Sequence, residues 1–143
     1  MSLNYTLAEL QENFDFMDNW EDKYRYLLEL GDKLPEFPEK DKIEKNKVQG
    51  CVSQVWMTLK TERDEMQISR LYFLADSDAH IVKGLIAVLM IIYNGKTPEE
   101  VLLIDIREIF KGLGLEENIS PNRRNGFFSM VQRLQTFAAG ADW

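Results

Sequence analysis

Hydrophobic and polar positions along this chain fall into two rhythms, and the change between them sets the expected architecture. From Leu7 to Met17 the apolar residues recur at helical spacing, which predicts a short amphipathic helix. Asn19 then stands as a helix N-cap, with Glu21 and Asp22 in the first turn, where carboxylates meet the positive end of the helix dipole. Trp20, Tyr24, Leu27 and Leu28 follow at helical spacing and predict a core-facing stripe. Gly31 and Pro35 end that helix.

The rhythm changes at Val48. Val55, Met57 and Leu59 alternate with Trp56, Thr58 and Lys60, the period of a strand. A polar turn at Thr61 to Glu65 leads into Met66 to Leu74, rich in β-forming residues, so the two runs predict an antiparallel hairpin. Val48-Gln49 is a candidate for a short preceding strand. The alternation slips near Arg70, which suggests a bulge or burial on both faces there. Ala79 to Tyr93 is apolar on nearly every side beyond Lys83 and predicts a central helix, stopped by Asn94-Gly95. Thr97-Pro98-Glu99-Glu100 starts another short helix. Ser120-Pro121 starts the last one, whose stripe is Phe127, Met130, Val131, Leu134 and Ala138. No repeat or linker divides the sequence. The expectation is a single α+β domain over residues 1–143, with a small antiparallel sheet of about three strands packed against helices.

Composition narrows the function classes. With 45% hydrophobic and 29% charged residues in 143 positions, the chain has a globular profile and enough length for a full core. A formal net charge of −7 argues against nucleic acid, whose phosphates need a basic face. Lys40, Lys42, Lys45 and Lys47 are interleaved with Glu39, Asp41 and Glu44 and read as a solvated mixed-charge loop. The longest apolar run, Leu85 to Tyr93, is far shorter than the roughly 20 residues of a membrane span. The opening MSLNYTLAELQENF has no basic leader ahead of an apolar core, so no secretory signal is expected. A single cysteine allows neither an internal disulfide nor a cysteine-built zinc site, and fits a reducing, cytoplasmic setting.

That cysteine, Cys51, sits in KVQGCVSQVW, after a glycine and ahead of the predicted strand. A lone cysteine is commonly a buried, inert filler. Here Gly50 opens backbone conformations closed to other residues, and a loop on a strand end can present a side chain to a partner. Sulfur chemistry needs the thiolate, so a cation or dipole nearby would help: Lys47, Arg123, Arg124 and the helix start after Ser77 are the candidates. A thiol hydrolase or transferase would need a base, and the only histidine is His80, in the first turn of the helix after Asp78. Asp76-Ser77-Asp78 reads first as a helix cap and second as a polar neighbour of the cysteine loop. Arg123 and Arg124 stand near a helix start, where the dipole disfavours cations, which hints at a pairing or partner contact. Three readings stay open at this point: a thiol presented to a partner, a stand-alone thiol enzyme using Cys51 with His80, and an interaction module in which Cys51 is structural.

Four segments in order resemble the SufE family of sulfur acceptors in iron–sulfur cluster biogenesis, including its CsdE-like branch. They are NWEDKYRYLLELGDKLPEFP (Asn19 to Pro38), NKVQGCVSQVWM (Asn46 to Met57), DSDAHIVKGLIAVL (Asp76 to Leu89) and SPNRRNGFFSMVQRL (Ser120 to Leu134). The resemblance implies a fold like that of IscU-type scaffolds. It also implies that Cys51 accepts persulfide sulfur from a pyridoxal-phosphate-dependent cysteine desulfurase, SufS- or CsdA-like, and passes it to an iron–sulfur scaffold. The pyridoxal phosphate (PLP) would belong to the partner, with no cofactor or metal on this chain. Asp78, Arg123, Gly50 and Gln54 carry over as loop-organising or partner-contacting residues, and Trp56 matches as well. One departure is visible: Asn118-Ile119-Ser120 stands where family members often have a histidine before the final motif. With one cysteine and one histidine, the chain lacks the several ligands of a cluster scaffold.

Overall fold

The computed structural model describes residues 3–51 and 53–140. Its elements run α1 (Leu7–Asp15), α2 (Trp20–Gly31), two short 3-10 turns (Glu39–Asp41 and Glu44–Asn46), β1 (Val55–Arg63), β2 (Ser69–Ser77), α3 (His80–Tyr93), α4 (Pro98–Leu103), α5 (Ile106–Gly112) and α6 (Pro121–Gly140). Local signals account for most of the starts. Thr6 and Thr97 each close a capping box with the glutamate three residues on, and the Asn19 carboxamide oxygen accepts from the Asp22 amide at 2.9 Å.

The sheet is a two-stranded antiparallel hairpin, paired without interruption from Val55 opposite Ser77 to Arg63 opposite Ser69. Leu71, Phe73 and Ala75 of β2 face inward, so no bulge falls at Arg70. The turn lies later than expected, at residues 64–68. There the Asp64 carboxylate accepts the amides of Met66 and Ile68 and pairs with Arg70 Nε at 2.9 Å, while Gln67 takes a positive φ of 65°. The expected third strand reduces to one isolated bridge, Lys47 opposite Trp56, beside a 2.9 Å bond from the Val48 amide to the Val55 carbonyl. Pairing stops there because the chain turns away at Gln49-Gly50, with Gly50 at φ +85°.

Helix α3 is the centre of the molecule, buried along nearly its whole length from Ile81 to Tyr93. Each fully buried aliphatic side chain there contributes roughly 1.5–3 kcal/mol of hydrophobic stabilisation. Helix α2 crosses it at glycine contacts. A Cβ on Gly84 would strike the Leu27 carbonyl oxygen, and one on Gly31 would lie 2.9 Å from the Gly84 amide nitrogen. Gly31 therefore closes the packing between two helices as well as ending one. The buried face of α2 is Leu27, Leu30 and Gly31, which turns Tyr24 out to solvent at 38% exposure and leaves it edge-on to Trp20. The predicted stripe is thus rotated partly off the core. Helix α5 was not anticipated, although Asp105 caps it by accepting the Glu108 amide at 3.2 Å. No helix among the described residues is long and apolar enough to cross a membrane.

Candidate functional site

Cys51 lines a cleft of about 400 Å³, together with Ser53, Val55, Val82, Ser120, Asn122, Arg123 and Gly126. Three remote parts of the chain meet there: the loop before β1, the start of α3 and the start of α6. Val48, in front of the loop, is buried, while Gln49 and Gly50 are exposed. Val52, on the other side of Cys51, lies outside the described residues.

The sulfur rests against α6. Gly126 is buried, and a Cβ added to it would stand 3.1 Å from Cys51 Sγ, so the missing side chain is the space that the thiol uses. One helical turn on, a Cβ at Gly50 would meet Ser129 Oγ at 2.7 Å. Gly50 is required by its positive φ, while the Ser129 hydroxyl packed against it would have to turn aside for any larger residue. Cys51 is half-buried, and burial pushes its thiol pKa up. The expected cationic activation does not operate in this conformation. Lys47 faces Glu44 at 3.7 Å, Arg124 donates to the Glu116 carbonyl at 3.0 Å, and of the candidate cations only Arg123 lines the cleft.

The far side of the loop is held by Asp78. Its Oδ1 accepts the Gln54 amide at 3.1 Å, and its own amide donates to the Gln54 carbonyl at 3.3 Å. The capping reading of Asp76-Ser77-Asp78 is corrected here, because the N-cap of α3 is Ala79 and it carries no side-chain cap. Ser77 Oγ accepts from the Ala79 amide, and Asp76 pairs with Lys42 at 3.1 Å and Lys83 at 3.7 Å. Lys42 also stands 5.4 Å above the Trp56 ring, so one lysine of the mixed-charge loop ties the 3-10 segment to the hairpin. Its pKa is raised, first by the bond to Asp76 and then by that to Glu39.

Arg123 is anchored at its backbone, where its amide donates to Ser120 Oγ at 3.4 Å. Among the described residues no ion pair joins it to Asp78. His80 is exposed and is not among the residues that line the cleft, so the structure brings no histidine beside Cys51. The described residues hold no group of three or more His, Cys, Asp or Glu placed to bind a metal ion. Residue reasoning missed Gly126, Ser129 and Arg133 on α6. Arg133 donates to the carbonyls of Lys45 at 3.4 Å, Asn46 at 3.3 Å and Lys47 at 3.0 Å, in the segment leading to the loop. The signal was the pair of small residues, Gly126 and Ser129, interrupting a bulky helix face.

Comparison with known proteins adds a family. Residues 8–138 match SufE, described as an Fe-S metabolism associated domain. An uncharacterized SufE-like protein from Rhizobium meliloti (strain 1021) is 44% identical over 135 residues, covering 94% of this chain and 96% of the other. A second uncharacterized SufE-like protein, from Rhizobium etli, is 45% identical over 130 residues, covering 91% and 87%. The solution structure of a hypothetical protein from Thermus thermophilus has the same fold, with a TM-score of 0.69 and 28% identity over 93% of each chain.

Proposed function

This chain belongs to the SufE family, and from that premise we propose that it is a sulfur acceptor and activator for a PLP-dependent cysteine desulfurase, working through Cys51. The family sets the protein in Fe–S metabolism. The observation that carries the finer reading is the chain's only thiol, lining a cleft to which Arg123, Ser53 and Asn122 contribute polar groups.

In the proposed reaction, the Cys51 thiolate attacks the terminal sulfur of a persulfide on the desulfurase. A new S–S bond forms at Cys51 as the old one breaks, and the desulfurase cysteine leaves as a thiolate. No external oxidant or reductant is consumed, because the persulfide oxidation level moves from one cysteine to the other. The PLP that generates the persulfide belongs to the desulfurase. An iron–sulfur scaffold would then take the sulfur from Cys51, in a compartment that keeps thiols reduced, as the cytoplasm does. This chain is in that reading a carrier and partner rather than a self-sufficient enzyme.

Geometry suggests what each loop residue contributes. Gly50 permits the turn, Gln54 and Asp78 fix its far side, and Arg123 is placed to meet an anionic group arriving with the partner. A half-buried thiol with a raised pKa is a poor nucleophile at neutral pH. The loop must therefore turn outward, or the partner must bring a positive field to it, for transfer to run. Cys51→Ser is expected to keep the fold and abolish uptake of labelled sulfur from a loaded desulfurase; undiminished uptake would overturn the proposal.

A further inference from the structure

We propose that Arg133 is a positioning residue for the cysteine loop, pinning the approach to Cys51 along helix α6 so that only the loop tip is left to move. This deepens the acceptor reading and rests on it for the functional consequence, although the anchor itself is a matter of contacts within the chain.

The approach arm and α6 run antiparallel, in contact at three levels. Arg133 holds the carbonyls of Lys45, Asn46 and Lys47, Ser129 backs Gly50, and Gly126 backs the Cys51 sulfur. The steps from 133 to 129 to 126 keep one helix face and cover about 10 Å of axis. Lys45, Asn46 and Lys47 close a 3-10 turn, where carbonyls are left without partners inside the turn. Both terminal nitrogens of the guanidinium are used, Nη1 on Asn46 and Nη2 on Lys45 and Lys47. A planar fork can serve three acceptors at once, which a lysine ammonium on its flexible stem does less well.

The other side of the loop has its own fixed points. The Val48 amide bonds the Val55 carbonyl, and Gln54 exchanges two bonds with Asp78. Between these points the Cys51 sulfur is seated by its contact with Gly126, with no hydrogen bond to it among the described residues. Arg133 on one side and Asp78 on the other therefore bound the tip that carries Gly50 and Cys51, so that the Cys51 side chain can leave its seat without disturbing the hairpin or α6. With the Arg133 anchor gone, the Lys45 to Lys47 end of the arm would be held only by the Lys47–Trp56 bridge and the Val48–Val55 bond, and Cys51 would sit less firmly over Gly126.

The test uses the full chain, free in solution, with iodoacetamide alkylation of Cys51 at fixed pH and amide hydrogen exchange across residues 45–51. Arg133→Gln and Arg133→Lys are compared with Arg124→Ala, which removes a guanidinium-to-carbonyl bond elsewhere on α6. Arg133→Gln should raise the alkylation rate and local exchange by about three- to tenfold, the effect of losing one net hydrogen bond that holds a closed segment. Arg133→Lys should fall between Gln and wild type, and Arg124→Ala should match wild type. Wild-type rates in Arg133→Gln would overturn the anchor. So would equal acceleration in Arg124→Ala, which would mean general loosening, or a lysine variant indistinguishable from wild type. Labelled-sulfur uptake by the wild-type protein separates the two readings, since its failure would remove the acceptor function while leaving the alkylation result to decide the anchor.

Discussion

The reactivity of Cys51 is set by two opposing local effects. Contact with α6 removes water from the sulfur and raises its pKa, while the exposed rim of the loop keeps it within reach of a partner. Because the thiolate is the reactive form, a raised pKa means less of it at neutral pH than an ordinary thiol gives. The rate of alkylation plotted against pH should therefore have its midpoint above the ordinary thiol value of about 8.5. In denaturant the midpoint should fall back to that value. A folded-state midpoint at or below the ordinary value would mean that a cation acts on Cys51, contrary to the geometry around it. Uniqueness made Cys51 legible in the sequence. Gly126 was not legible as its counterpart, since nothing in a single sequence says which helix a loop will lie against.

At the scale of elements, the contact between α2 and α3 decides how well the site's frame is fixed, because α3 carries Val82 into the cleft and follows directly on Asp78. Gly84→Ala puts a methyl group against the Leu27 carbonyl, with backbone on both sides and no flexible side chain to yield. Overpacking of this kind costs about 1–3 kcal/mol, and a urea midpoint lowered accordingly is the expected measurement. An unchanged midpoint would show that the two helices can part there at little cost. Element starts were readable where the signal is local, as at Asn19, Thr97 and Pro98, whose caps need only neighbours in sequence. Tertiary demands overrode the local pattern elsewhere. Tyr24 has the spacing of a core residue, yet Leu30 and Gly31 set the face that meets α3. The third strand failed for a similar reason, because Gly50 turns the chain toward α6 after one bridge. The Arg133 contact with Lys47 spans 86 residues and had no local signature at all.

For the whole molecule, the proposed carrier role divides a fixed frame from a loop that moves. The hairpin, α3 and α6 converge on the cleft and are tied by buried side chains, and Cys51 lies against α6 at Gly126. Under that role, this division would partly shield the resting thiol from oxidation and let docking draw it out without unfolding the frame. Adding the cognate desulfurase should therefore speed alkylation of Cys51 as partner concentration rises. Unchanged alkylation across that range would mean that docking does not open the loop.

The most direct measurement of the central claim is intact-protein mass spectrometry after incubation with a cysteine desulfurase and free cysteine. The account predicts the mass of one added sulfur, lost on reduction, mapped by peptide analysis to Cys51 and missing from Cys51→Ser. Failure of Cys51 to gain sulfur from any desulfurase that is itself loaded with persulfide, with the thiol intact and the protein folded, would contradict it.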